Sequence, residues 1–375
     1  MKTKIYMDYN ATCPIRPAVI DVVAAAMATV GNPSSVHSAG RAAKTVMDEA
    51  RTKVAALAGC RPRDVVFCSG GTEANNLVVR GCGAASLIIS ETEHPSVLAS
   101  AEAAGLPVYK VGVDANGLVD LASLRQLLQE AAAPALVSVM FANNETGVMQ
   151  PVSEVAVLAK EFGAKFHTDA IQCAGKTPLD LATIGADYLT LSSHKIGGPQ
   201  GVGAVVMTPT ASLKALTVGG GQELGRRSGT ENVAGVAGFG VAAFDALVAV
   251  GNTHGIQAMR DHLEKSIKAL SSSVVIAGEN TDRLPNTSCI AMPNVKGETQ
   301  VMHFDLAGIC LSSGSACSSG KVKLSHVLTA MGYDEPVAEN SIRVSLGYQT
   351  QQSDIDAFIE AWQALYVRTS SKGAA

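Results

Sequence analysis

The sequence predicts an α/β fold: a large, mostly parallel sheet with helices on both faces, plus a smaller α+β C-terminal domain. Three observations carry this. Between about Val65 and Thr208, short apolar runs alternate with amphipathic segments. The runs are apolar at nearly every position, as expected for strands covered on both faces. Beyond about Gly251, helical patterns are interleaved with isolated strands, the texture of a separate α+β unit.

In chain order, VVFCS (65–69) is the first predicted strand, followed by a helix beginning near Ala74. SLIIS (86–90) and LPVYKV (106–111) follow as strands, then the helical pattern LASLRQLLQEAA. ALVSVMFA (135–142), the helix VSEVAVLAKEFG, KFHTDA (165–170), YLTLSSH (188–194) and VGAVVM (202–207) continue the alternation. Alternation of this kind gives a parallel sheet, whose ligands bind just beyond the C-terminal ends of the strands. Polar and glycine-rich residues cluster at those points. The longest apolar stretch, 233–250, is interrupted by Asp245 and diluted by Gly235, Gly238 and Gly240. A membrane span prefers about 20 strongly apolar residues, so a buried helix is predicted there. The C-terminal part carries a helix (IQAMRDHLEKSIKAL), a strand (TSCIAM), a helix (ETQVMHFDLAG) and the segment SSGSACSSGK. A strand (NSIRVSLG) and a final helix (SDIDAFIEAWQALYVR) complete it.

Composition narrows the function. With 47% hydrophobic and 17% charged residues over 375 positions, the chain can build large cores, which excludes low-complexity disorder. The net charge of −4, the lack of a Lys/Arg-rich run and 4% aromatics argue against a nucleic-acid surface. MKTKIYMDYN lacks the apolar stretch of a secretory leader. The eight cysteines form no CxxC pair, so no zinc site is expected. Without secretion a disulfide framework is not expected, and most of the thiols read as small core residues. No metal site and a cytoplasmic location are expected.

Three segments suggest chemistry. Lys195 directly follows a buried-type strand in SSHKIGGP. A desolvated lysine has a lowered pKa and forms Schiff bases with aldehydes, although a lone lysine there also fits a surface loop. Ser69-Gly70-Gly71-Thr72-Glu73 joins a strand to a helix. Its glycines admit close backbone approach and the helix N-terminus offers free N–H groups, a phosphate cradle that a purely structural turn would also resemble. Asp169, in HTDAIQ, ends a strand where a carboxylate either caps a helix or keeps a pyridine ring cationic. The same segment holds Ala170-x4-Gly175-Lys176-Thr177, one residue short of a P-loop, with no acidic partner strand behind it.

Read together, SGGTEANN, TEHPSV, ANNETGVMQP, HTDAIQ, SSHKIGGPQG, RRSGTEN and SSGSACSSG occur in one order over nearly the whole chain, with YMDYNATCPIRP and GNPSSVHSAGR before them. This set resembles the NifS/IscS-type cysteine desulfurases, in the class V aminotransferase group of fold-type I pyridoxal-phosphate enzymes. The resemblance implies pyridoxal 5'-phosphate on Lys195, with Asp169 at the ring nitrogen and Gln172 at the ring hydroxyl. It implies that His94 stacks on the ring and serves acid–base steps, and that Gly71, Thr72, Ser192 and His194 bind the phosphate. Thr230 would reach the phosphate of a neighbouring subunit, making a homodimer part of the site. Asn144, also counted among the cofactor contacts, and Arg343 would hold the substrate carboxylate. Cys317 would be the nucleophile on a loop whose serines and glycines suit mobility, whereas Cys310, in a more apolar run, reads as structural. The implied division is 15–250 for the cofactor-binding unit, with 1–14 and 251–375 forming the small unit that carries the Cys317 loop.

The implied reaction converts L-cysteine to L-alanine with a persulfide on Cys317. Loss of the α-proton gives a carbanion that the cationic ring delocalises, and the substrate sulfur becomes open to attack by a second thiolate. A sulfur-acceptor protein of the iron–sulfur scaffold kind is the expected partner, supplying cluster assembly or tRNA thiolation, with no membrane and no direct nucleic-acid contact. Selenocysteine lyase and a catalytically idle sulfur-relay scaffold are the alternatives. Two features depart from the common pattern: Gln200 in GPQG, and the loop SSGKVKLSHVL after Cys317. The tail after Arg343 is short, which leaves scaffold docking through an extended C-terminus in question.

Overall fold

The computed structural model describes residues 4–314 and 324–370. In chain order its strands are β1 (Ile5–Tyr6), β2 (Val65–Cys68), β3 (Ser86–Ser90), β4 (Val108–Val111), β5 (Ala135–Ser138), β6 (Lys165–Asp169) and β7 (Tyr188–Ser192). There follow β8 (Gly203–Met207), β9 (Val275–Ile276), β10 (Thr287–Ala291), β11 (Ile309–Cys310), β12 (Ser312–Ser313) and β13 (Ser341–Ser345).

Seven strands form one sheet in the order β2-β8-β7-β6-β5-β3-β4. All neighbours are parallel except β8, which runs antiparallel to both β2 and β7. Alternate residues of one strand enter different cores, as the two-residue period of a pleated strand requires. Val65 and Phe67 join Val54, Val137 and Phe239 on one face, while Val66 and Cys68 join Leu77, Leu87 and Val205 on the other. The predicted sheet with both faces covered is therefore present, and all seven predicted strands lie in it.

The register aligns the strand ends that carry the loops of interest. Gly203 of β8 pairs with Cys68 at the end of β2 and with Ser192 at the end of β7. A Cβ at Gly203 would lie 2.8 Å from the Gly70 Cα and 2.8 Å from the Leu191 carbonyl oxygen, so only glycine lets the two ends approach.

Two helices absent from the sequence reading, Pro17–Ala28 and Ser38–Leu57, pack against helix Val233–Ala249. That apolar helix is less buried than expected. Its glycine- and alanine-rich side meets the core, but Phe244, Leu247 and Val248 are exposed. By length and composition alone, segment Val233–Asn252 is long and apolar enough to cross a membrane, and half of it is buried inside the protein.

The second sheet, β12-β13-β10-β9, is antiparallel. Ile290, Ile342 and Val344 pack there on Phe358, Trp362 and Leu365 of helix Gln352–Ser370. The N-terminal segment is stitched to this body: β1 pairs with β11, and Ser345 N–H donates to the Met7 carbonyl. It then crosses to the larger sheet, where Cys13 N–H donates to the His194 carbonyl at 2.9 Å. Residues 8–13 thus lie between the two sheets.

Candidate active site

The turn after β2 leaves the N-terminus of helix Gly71–Gly81 uncapped: Gly70 stands at the N-cap with no side chain to accept the first-turn N–H groups. Such N–H groups, together with the helix dipole, attract an anion. The helix starts at Gly71 rather than near Ala74. A Cβ at Gly71 would collide with the side chain of Ile171.

Lys195 lies in the tight turn Ser193–Lys195 after β7. Its Nζ donates to the Asn10 carbonyl at 2.6 Å and the Ala11 carbonyl at 2.8 Å. Burial, then the positive charges of Arg343 and Lys176, push its pKa down to about 7, against the opposing pull of Asp8 and Asp169. A half-neutral amine at physiological pH is the form a nucleophilic lysine needs. Next to it, burial and then Lys195 push His194 down to about 4, and its Nδ1 lies 3.2 Å from the Thr12 hydroxyl.

Asp169 ends β6 and is buried. Its Oδ1 accepts from Ile171 N–H at 3.0 Å and its Oδ2 from Asn75 Nδ2 at 2.7 Å. Asn75 also donates to Ser96 Oγ at 2.9 Å and accepts from the Thr190 hydroxyl at 2.7 Å. Ser96 N–H in turn donates to His94 Nδ1 at 3.1 Å. With Nδ1 acting as acceptor, a neutral His94 carries its proton on Nε2. Burial dominates in lowering the His94 pKa, with Lys195 and His326 adding to it and Asp169 opposing.

Arg343 reaches the same space from β13 of the second sheet. Nη2 pairs with Asp8 at 2.9 Å and Nη1 donates to the Asn144 carbonyl at 3.2 Å, while the buried Nε has no partner among the described residues. An unpartnered buried donor on a guanidinium costs about 1–3 kcal/mol, which a bound carboxylate would relieve through the fork geometry that suits it.

These groups surround one cavity of about 510 Å³. Gly71, Thr72, His94, Asn144, Asp169, Gln172, Ser192, His194, Lys195 and Arg343 all line it. Thr230 does not. It is exposed beside a separate recess of about 110 Å³ near Glu223 and Arg227. Cys317 lies outside the described residues. Sequence reasoning passed over Asn10, Asn75 and Ser96; all three sit inside quoted motifs, and Asn75 is four residues past Gly71, one helical turn on.

Seven cysteines are described, all free. Burial pushes the thiols of Cys13, Cys60, Cys68, Cys82, Cys173 and Cys289 up, to about 11 at Cys13 and about 12 at Cys60, Cys68 and Cys289. Protonated buried thiols are poor nucleophiles. Cys310 pairs with Tyr6 in the β1–β11 ladder, and no described cysteine lines the cavity. Among the described residues, no group of three or more His, Cys, Asp or Glu could hold a metal ion.

The family model described as "Aminotransferase class-V" matches residues 5–358. The chain is 36% identical to "Cysteine desulfurase IscS" of Dictyoglomus turgidum, over 97% of its own length and 95% of that protein. It is 40% identical to a cysteine desulfurase of Cereibacter sphaeroides, over 95% and 94% respectively. The crystal structure of a NifS-like protein from Rickettsia africae superposes with a TM-score of 0.89 at 39% identity, covering 97% of this chain and 99% of that one.

Proposed function

The chain belongs to the class-V aminotransferase family, and from that premise we propose that it is a pyridoxal-phosphate-dependent L-cysteine desulfurase. L-Cysteine and the Cys317 thiol give L-alanine and a Cys317 persulfide, which passes its sulfur to an acceptor protein for iron–sulfur cluster assembly or tRNA thiolation. The observation that carries this reading is that Lys195, Asp169 and Arg343 face one cavity.

The cavity fits the cofactor. The bare helix N-terminus at Gly71 suits a phosphate, Asp169 suits a ring N–H, Gln172 suits the ring hydroxyl, and the neutral fraction of Lys195 suits an aldehyde. When bound, pyridoxal phosphate supplies an electron-withdrawing ring that stabilises negative charge at the substrate α-carbon. Lys195 would hold the cofactor through Nζ, and its neutral amine would accept the substrate α-proton. Asp169 would keep the ring nitrogen protonated, its carboxylate held in place by Asn75 and the Ile171 N–H. His94 would stack on the ring, with its Nε2–H available as a proton donor in the cavity it lines. Thr72, Ser192 and His194, which line the same cavity, would hold the phosphate.

Arg343 and Asn144 orient the substrate carboxylate, placing the Cα–H toward Lys195. Cys317 attacks the substrate sulfur as a thiolate: the new S–S bond forms as the substrate C–S bond breaks, and a proton completes the methyl group of alanine. The six thiols with raised pKa values support assigning this step elsewhere than to them.

Thr230 serves the phosphate of a second copy in a homodimer. Its exposure away from the chain's own cavity supports this, as do the exposed Ile20, Met27, Phe244, Leu247 and Val248 on two helices that pack together. Segment 15–250 holds the cofactor, and 1–14 with 251–375 forms the unit bearing Arg343 and Cys317. The free thiols support a reducing, cytoplasmic setting.

The test is alanine release from L-cysteine with a reductant present. The parent should turn over, Cys317→Ser should fall by orders of magnitude with the cofactor spectrum retained, and Cys310→Ser should keep most activity. Alanine release by Cys317→Ser at the parent rate would remove Cys317 from the mechanism.

A further inference from the structure

Lys176, the lysine of the near-P-loop segment, has no part in the reaction described above, yet it faces inward. Its Nζ donates to Gln172 Oε1 at 2.9 Å and to Asn10 Oδ1 at 3.3 Å. Asn10 in turn accepts, on its backbone carbonyl, the Lys195 Nζ at 2.6 Å and the Gln172 Nε2 at 3.0 Å. Two lysines are thus bonded to opposite ends of one asparagine, with Gln172 closing the circuit.

A lysine ammonium only donates. Lys176 therefore fixes Gln172 with Oε1 turned toward it. Gln172 Nε2 gives one hydrogen to the Asn10 carbonyl and keeps the other for the cavity it lines. Asn10 is fixed in the same way. Its Oδ1 accepts from Lys176 and from Asn286, so its Nδ2 donates to Thr287 Oγ1 and to the Asn144 carbonyl.

We propose that Lys176 is a positioning residue that fixes Gln172 as a hydrogen-bond donor toward the cofactor and places, behind Asn10, a positive charge favouring the unprotonated nitrogen at Lys195. This rests on the reading of Lys195 as the cofactor lysine. Among the described residues, the charged and titratable groups around the pair are few. Lys176 is flanked by Cys173, Cys13 and Arg343, and Lys195 by Arg343, Lys176, Asp8, Asp169, His94 and His194. Burial, aided by Arg343 and opposed by Cys173 and Cys13, pushes Lys176 down to about 8, so it is mostly protonated at pH 7.

The sign follows from Coulomb repulsion. Removing a nearby positive charge stabilises the protonated form at Lys195, so its proton-binding constant rises.

The experiment titrates the visible absorbance of the cofactor-loaded enzyme against pH for the parent, Lys176→Met, Lys176→Gln and Lys176→Arg, with a thermal melt of each. Lys176→Met and Lys176→Gln should each raise the proton-binding constant about threefold or more, and Lys176→Arg should restore the parent value. A methionine variant too unstable to titrate leaves the glutamine variant, which retains an amide donor, to decide. If both uncharged variants titrate as the parent does while the parent shows its band, the inference fails and the cofactor reading stands. If the parent shows no visible band with pyridoxal phosphate, the cofactor reading itself fails.

Discussion

Asn75 donates its amide N–H to Asp169 across 2.7 Å, from the helix whose N-terminus forms the anion cradle. One side chain therefore ties the two ends of the site together, since the same amide also holds Ser96, which holds His94. Removing it leaves a buried carboxylate oxygen short of a donor, at a cost of about 1–3 kcal/mol. Asn75→Ala should weaken pyridoxal-phosphate binding about tenfold to a hundredfold, measured by equilibrium dialysis of the apoenzyme. Parent-like affinity would show that Asp169 does not depend on Asn75.

Gly71→Ala places a methyl group against the Ile171 side chain, at the mouth of the cradle. Overpacking of this kind costs about 1–3 kcal/mol. The expected outcome is a protein that folds with a lower melting temperature and retains cofactor poorly. Adding Ile171→Val, which removes the colliding methyl, should recover most of the stability in a thermal melt. A double variant no better than Gly71→Ala would contradict the steric account.

Arg343 is held by Asp8 and the Asn144 carbonyl, with Nε unpaired among the described residues. Arg343→Lys keeps the charge but loses the fork, which suits carboxylates as a single ammonium does not. Its KM for L-cysteine should rise about tenfold or more, with the cofactor spectrum unchanged. A raised KM together with lost cofactor would place Arg343 in cofactor binding instead.

The larger sheet was legible because its strands are apolar on both faces. Val65 to Cys68 feed two cores alternately, as do Leu87 to Ile89 and Ala204 to Met207. Helices Pro17–Ala28 and Ser38–Leu57 were not legible. The first is apolar nearly all round, leaving no face to read, and the second is interrupted by Gly40 and polar at its start. The cavity residues could be named from ordered motifs, but not the connections among them. Asn10 meets Lys195 over a separation of 185 residues and Asn286 over 276. Contacts of that range come from the packing of two sheets, and no local pattern encodes them.

The depressed Lys195 pKa has a direct consequence for cofactor capture. The neutral amine is the reactive form, and its fraction rises through the folded pKa of about 7. Capture of pyridoxal by the apoenzyme should therefore speed up about tenfold per pH unit below that value and level off above it. Stopped-flow absorbance from pH 5.5 to 9.5, a range set about the neutral point, measures this. An ordinary lysine would still be accelerating at the alkaline end.

The central claim, that Lys195 is the residue that binds the cofactor, is tested most directly by borohydride reduction of the loaded enzyme followed by peptide mapping. Two inward-facing lysines compete for the assignment, since Lys195 and Lys176 are both bonded to Asn10. The account predicts the pyridoxyl group on the peptide containing Lys195, and its loss in Lys195→Ala. A pyridoxyl group on Lys176, or on Lys165 one strand away, would contradict it.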